Sequence, residues 1–214
     1  MRSRKRLLKK SRLYLIFDKS AFSRDALNIV KKLAESGVDM VQLRDKNSSA
    51  QAVLESAVTL NKGLRNTNTL FIVNDNPDIA RLSGSDGLHI GQNDIPVQDA
   101  RRMLGRDKLI GVSCYSLGQA LKAQKEGADY IGIGPVFKTQ TKRDSRRPIG
   151  VKGLKGLSRR IKIPVFAIGN INRANLAKVT SSGINRIALC RAILKNGDCF
   201  KSAQYFANKL KNLL

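Results

Sequence analysis

Residues 109–135 read LIGVSCYSLGQALKAQKEGADYIGIGP, and the fold turns on how this stretch is parsed. An apolar run, 109–114, leads into a helix-period segment, 117–126, then Gly127 and a second apolar run, 130–135. Both runs are nearly continuous, as strands buried on both faces are, and neither alternates like a strand with one wet face. Two such strands joined by a helix form a parallel pair, since a parallel connection needs a crossover of that length. Gly127, set between the helix and the next strand, is a helix-stop signal.

The unit recurs along the chain. Strands are predicted at 13–17, 39–43, 70–74, 87–91, 109–114, 130–135, 164–169 and 186–190. Helices are predicted at 24–36, 50–64, 117–126 and 173–181, with a last one near 200–213, and Gly37 and Gly183 repeat the stop of Gly127. Eight strand–helix repeats in about 200 residues predict an α/β protein built as a single (β/α)8 TIM barrel over 13–214. An open doubly wound sheet is the runner-up, and it seldom needs eight strands so evenly spaced. The barrel choice places functional residues where strands end.

Composition narrows the function classes. With 42% hydrophobic residues the chain can bury a core, and no run approaches the ~20 apolar residues of a membrane span. No signal-peptide pattern is present. Cys114, Cys190 and Cys199 are odd in number and lack CxxC spacing, so they read as reduced thiols of a cytoplasmic protein. The 40 Lys+Arg against 16 Asp+Glu, net +24, create a field that attracts phosphorylated metabolites, and equally nucleic acid or anionic membrane. Aromatic residues are 5% and Trp is absent, which leaves nucleic acid a partner through non-specific charge only. Seven cations crowd residues 2–12, and residues 1–12 are expected to be a solvated, flexible basic tail. Homo-oligomer formation is left open.

Five segments assemble one anionic-ligand site: QLRDK at 42–46, ND at 74–75, HIGQND at 89–94, Ser113 and TQTK at 139–142. Gln42, Arg44 and Lys46 alternate along a strand end and so share one direction. Arg offers phosphate a rigid fork and Lys a mobile point charge; the plain alternative is a salt bridge with nearby Asp45 or with a helix. Asp75 ends the third strand and Asp94 follows the fourth by three residues, and two carboxylates with phosphate oxygens and water are what octahedral Mg²⁺ accepts. Each has a structural alternative, Asp75 as a helix N-cap before Pro77 and Asp94 as a turn residue before Pro96. Thr139, Thr141 and Lys142 lie on a long basic loop, 137–150, of the kind that forms lids or clamps. His89, the single histidine, sits inside a strand and reads as a barrel-wall imidazole, so no Ser–His–Asp arrangement is proposed. The last two strands end in AIGNI at 167–171 and ALCR at 188–191, where barrels of this class hold a phosphate on backbone N–H groups.

Taken in order, QLRDK at 42–46, VND at 73–75, DGLHIGQND at 86–94, IGVSCYS at 110–116, ADYIGIGPVFKTQTKRD at 128–144 and PVFAIGNI at 164–171 resemble the thiamine phosphate synthase family. The resemblance implies a (β/α)8 barrel, Mg²⁺ as cofactor, and two small-molecule substrates. These are hydroxymethylpyrimidine diphosphate and a thiazole phosphate carboxylate, joined with release of diphosphate and CO₂. It implies that Gln42, Arg44, Lys46, Asn74, Ser113 and Lys142 hold the pyrimidine diphosphate, and that Asp75 and Asp94 bind the metal. Arg44, Lys46, Ser113 and Lys142 form the implied catalytic set. Thr139 and Thr141 would meet the thiazole substrate, with Gly169, Asn170, Cys190 and Arg191 at its phosphate end.

Two positions depart from the family pattern: Gly169-Asn170 stands where Gly-Gly is usual, and Arg191 where a Ser is usual. Asn tolerates positive φ, so the backbone amide at 170 is expected to be presented all the same. Arg191 is expected to pair with the thiazole phosphate. The other readings are a superfamily paralogue such as a thiazole tautomerase, and a basic, non-enzymatic RNA-associated barrel. A tautomerase has no use for the pyrimidine diphosphate and metal residues.

Overall fold

In a computed structural model the described residues are 3–18, 26–138, 147–195 and 197–213. The strands are β1 (Leu13–Asp18), β2 (Met40–Arg44), β3 (Leu70–Asn74), β4 (Gly87–Ile90), β5 (Leu109–Cys114), β6 (Tyr130–Ile133), β7 (Val165–Ile168) and β8 (Ile187–Leu189). They pair in parallel in chain order, and β1 closes on β8 through Leu13 opposite Ile187. That closure decides for the barrel over the open sheet. The helices are α1 (Arg4–Lys10), α2 (Ala26–Glu35), α3 (Ala50–Leu64), α4 (Pro77–Leu82), α5 (Val97–Leu104), α6 (Leu117–Lys125), α7 (Gly150–Ser158), α8 (Leu176–Thr180), α9 (Arg191–Leu194) and α10 (Cys199–Lys211). Gly37, Gly127 and Gly183, with φ of 96°, 92° and 88°, take the left-handed conformation that ends a helix. Among the described residues, no helix is long and apolar enough to cross a membrane.

Strand periodicity divides the core in two. Leu15, Phe17, Val41, Leu43, Phe71, Val73, Ile131 and Ile133 pack between strands and helices. Their neighbours Tyr14, Ile16, Met40, Leu70, Ile72, Leu109, Tyr130 and Phe166 fill the barrel interior. Tyr130 fits only because a glycine faces it: a Cβ on Gly111 would stand 2.1 Å from its ring. The same parity carries Gln42 and Arg44 upward from Met40, and Asn74 upward from Ile72, toward the C-terminal mouth.

The N-terminal segment corrects an expectation. Arg4–Lys10 is a helix, capped by the Ser3 hydroxyl, and Leu8 is buried with Met40, Leu70 and Leu109 at the bottom of the barrel. Cation density hid this, because only Leu7 and Leu8 are apolar in the helix. The barrel's lower mouth supplies what the solvated-tail reading lacked: Arg4 Nε meets Asp86 Oδ1 at 2.8 Å and Lys5 Nζ lies 3.8 Å from Asp129.

Candidate active site

Among the described residues, a cavity of about 370 Å³ lies at the C-terminal mouth, and Arg44, Ser113, Gly169, Asn170, Cys190 and Arg191 all line it. Asp18 and Lys195 line it too. Sequence reading missed both, although Asp18 follows Tyr14 and Ile16 in the inward parity of β1. Arg44 Nη1 meets Asp18 Oδ2 at 2.6 Å, with both side chains half-buried. Arg44 does form a salt bridge, but with Asp18 of β1 and not with Asp45 or a helix; Asp45 accepts instead from Asn47 N and Ser48 N. Cys190 is half-buried, and burial, followed by the nearby Asp18 charge, pushes its thiol up from the ordinary value.

Lys46, Asp75 and Asp94 are not in the cavity lining and form a second cluster on the strand ends of β2, β3 and β4. Lys46 Nζ lies 2.9 Å from Asp75 Oδ2. Asp75 is not the helix cap, since Asn76 caps α4 by accepting from Ile79 N at 3.0 Å and Pro77 opens that helix. Asp75 instead has φ of 63°, in the left-handed region that Asp and Asn enter more readily than other non-glycine residues. Asp94 Oδ2 accepts from Gly91 N at 2.6 Å, so it does close a turn, and its carboxyl also meets that of Asp75. Burial raises the Asp94 pKa first; the Gly91 N–H works against this, and the Asp75 charge adds to the rise. Two converging carboxylates are hard oxygen donors whose repulsion a divalent cation relieves. No described group contains three or more His, Cys, Asp or Glu side chains able to hold a metal. A cation on this pair would therefore draw its remaining ligands from phosphate oxygens and water, which is the habit of Mg²⁺.

Gln42 and Ser113 are joined through the barrel interior. Gln42 Nε2 donates to the Tyr14 hydroxyl at 2.6 Å, and the Tyr14 and Tyr130 hydroxyls are 2.9 Å apart. His89 Nδ1 is 3.2 Å from the Tyr130 hydroxyl, and His89 Nε2 is 2.9 Å from Ser113 Oγ. His89 is buried, as a barrel-wall imidazole should be. Asn74 stands opposite His89 in the β3–β4 register.

At the far side, Gly169 has φ of 112°, and a Cβ there would meet Pro135 Cα at 2.5 Å, so only glycine fits. Asn170 takes φ of 50°, in the left-handed region where Asn is tolerated. Its side chain donates to Lys138 O at 2.9 Å, and its carbonyl accepts from Asn175 Nδ2 at 2.9 Å. Arg191 is the first residue of α9 and is exposed on the cavity wall. Thr139, Thr141 and Lys142, with most of the long basic loop, lie outside the described residues.

A cavity that gathers cations at the strand ends, beside a carboxylate pair, suits an anionic ligand. The family model described as Thiamine monophosphate synthase matches residues 13–193. The thiamine-phosphate synthase of Clostridium novyi (strain NT) is 40% identical over 198 residues, covering 92% of this chain and 97% of that protein. That of Methanosarcina barkeri is 38% identical, covering 96% and 93%. A solved structure, the thiamine phosphate pyrophosphorylase from Pyrococcus furiosus, superposes with a TM-score of 0.87 at 33% identity, covering 98% of each chain. From residue 13 to residue 193, then, the chain belongs to the thiamine monophosphate synthase family.

Proposed function

We propose that this chain is a transferase making thiamine phosphate, by joining hydroxymethylpyrimidine diphosphate to a thiazole phosphate carboxylate with release of diphosphate and CO₂. The observation that carries the reading is the pairing of cation and carboxylate at one mouth: Arg44 held by Asp18, and Lys46 held by Asp75 beside Asp94. Asp75 and Asp94 would hold Mg²⁺. Bound there, Mg²⁺ would neutralise charge on the diphosphate.

The chain's own residues account for the rest of the chemistry. As the carbon–oxygen bond to diphosphate breaks, negative charge grows on the leaving group, and Arg44, Lys46 and Lys142 stabilise it where it develops. The route calls for alignment of the thiazole nitrogen with the pyrimidine-methyl carbon and for exclusion of water, more than for a general base. Ser113 and Gln42 orient the pyrimidine half. Asn170 and Arg191 receive the thiazole phosphate, with Arg191 replacing a neutral hydroxyl contact by a charge-assisted one. The compartment this reading assigns is the cytoplasm, from cysteines kept as free thiols.

Calorimetric titration with hydroxymethylpyrimidine diphosphate tests the site directly. Binding should be tight with Mg²⁺ and weak in EDTA; equal binding in both would contradict the assignment of Asp75 and Asp94. For the other half of the site, Arg191→Ser should raise the Michaelis constant for the thiazole phosphate about tenfold, the weight of one charge-assisted hydrogen bond. An unchanged constant would remove Arg191 from the site.

A further inference from the structure

The hydrogen bonds that cross the barrel interior form one continuous chain, from Gln42 through Tyr14, Tyr130 and His89 to Ser113, and each link constrains the next. Gln42 Nε2 can only donate, so the Tyr14 oxygen accepts from it at 2.6 Å. The Tyr14 hydroxyl, accepting on that side, donates to the Tyr130 oxygen 2.9 Å away, and the Tyr130 hydroxyl donates in turn to His89 Nδ1 at 3.2 Å. An Nδ1 that accepts leaves a neutral imidazole with its proton on Nε2, which donates to Ser113 Oγ at 2.9 Å. Ser113 Oγ thereby accepts a hydrogen bond from the chain, and its own hydroxyl proton is left to donate into the cavity it lines.

We infer that His89 is a positioning residue: with Tyr14 and Tyr130 it carries the donor polarity of the Gln42 amide to Ser113, fixing the Ser113 hydroxyl as a hydrogen-bond donor to the ligand. Ser113 is then not a nucleophile activated by His89, since the histidine donates a hydrogen bond to its oxygen and has no lone pair facing it to act as a base. The inference deepens the proposed pyrimidine site and names the ligand chemistry at Ser113, an acceptor such as a ring nitrogen or a diphosphate oxygen.

Three further observations belong to the chain. Tyr14 and Tyr130 are held protonated by burial, which raises both phenols, so neither breaks the relay by ionising. Gly132 sits opposite Ser113 in the β5–β6 register, and a Cβ on it would approach His89 Cε1 to 3.4 Å. The imidazole therefore lies closely against a backbone that leaves it room. Gln92 Nε2 donates to Ser113 O at 2.7 Å, holding the serine backbone while its hydroxyl turns to the ligand.

His89 is the only histidine, so ¹⁵N-histidine labelling gives one imidazole to read in the ligand-free protein. The expected spectrum at neutral pH has a pyridine-type Nδ1 and a pyrrole-type Nε2. Two pyrrole-type nitrogens, or a pyrrole-type Nδ1, would overturn the inference. Gln42→Glu, with the carboxylate ionised, can only accept from Tyr14, so the whole chain should reverse and the two nitrogen types should exchange. A folded variant with the unchanged pattern would also overturn it, because a histidine that merely fills space has no reason to respond to a residue three hydrogen bonds away. Tyr130→Phe gives a milder variant that keeps the ring. It should weaken binding of hydroxymethylpyrimidine diphosphate about as much as Ser113→Ala, roughly tenfold, and add nothing in the Ser113→Ala background. Full additivity would show that the two residues act separately. The spectra need no ligand, so they stand or fall apart from the assignment of substrates.

Discussion

At the N-terminal mouth of the barrel, Asp39, Asp86 and Asp129 commit their carboxylates to backbone N–H groups and to cations of neighbouring elements. Asp39 accepts from Arg12 N and Leu13 N at 2.7 and 2.9 Å; Asp86 from Phe71 N and Arg4; Asp129 from Ile110 N and Arg101. At the C-terminal mouth Asp18 faces Arg44 and Asp75 faces Lys46, while Asp75 and Asp94, the latter also held by Gly91 N, meet each other, Asp75 from a left-handed backbone. Below, each carboxylate ties a strand start to its surroundings, and α1 closes the opening with Leu8. Above, like charges converge and the opening leads into a cavity. The same residue types stabilise at one end and leave a ligand something to stabilise at the other, the division of labour expected of a (β/α)8 barrel.

The comparison can be broken from either side. The largest effect is expected above: Arg44→Ala should lower kcat/KM about 10²–10³-fold, the loss of one preorganised contact to developing charge, while the unfolding midpoint moves only slightly. Steady-state kinetics beside a thermal melt would check both halves. Below, Leu8→Ala should destabilise by about 2–5 kcal/mol in urea unfolding and leave kcat unchanged, as a truncation remote from the chemistry. Were kcat to fall in proportion, the two mouths would not be independent.

Asp75→Asn should weaken Mg²⁺ dependence on the order of 100-fold by titration of activity against metal, yet change the stability of the metal-free protein by under about 1 kcal/mol, since it removes a charge that Asp94 opposes. The smallest effect concerns Asp39, whose pKa burial raises against the lowering by its two N–H donors. A carboxyl raised on folding binds its proton better in the native state, so its contribution is complete below the unfolded value and is lost as pH rises through the folded one. Asp39→Asn should flatten that acid-side fall in a pH series of urea midpoints, and a variant with the wild-type slope would assign the slope to other groups.

Sequence alone located every strand to within two residues at either end, because inward and outward residues of a barrel strand are both apolar and glycine stops mark the helix ends. It did not reveal α1, since the energy that orders Arg4–Lys10 comes from Asp86, Asp129 and the open floor of the barrel, partners distant in the chain. Asp18 was hidden for a similar reason: its signal is parity with Tyr14 and Ile16, and its role appears only when Arg44 is brought beside it from β2. The interior chain was legible only as separate letters. Gln42, His89 and Ser113 each stand out in the sequence, whereas Tyr14 and Tyr130, which connect them, read as ordinary core residues.

The measurement that tests the central claim most directly is formation of thiamine phosphate from hydroxymethylpyrimidine diphosphate and the thiazole phosphate carboxylate by the purified protein, with Mg²⁺ and with EDTA. The account predicts product and diphosphate in equal amounts with Mg²⁺ and a collapse of both in EDTA. Absence of product with Mg²⁺ present and both substrates saturating would contradict it.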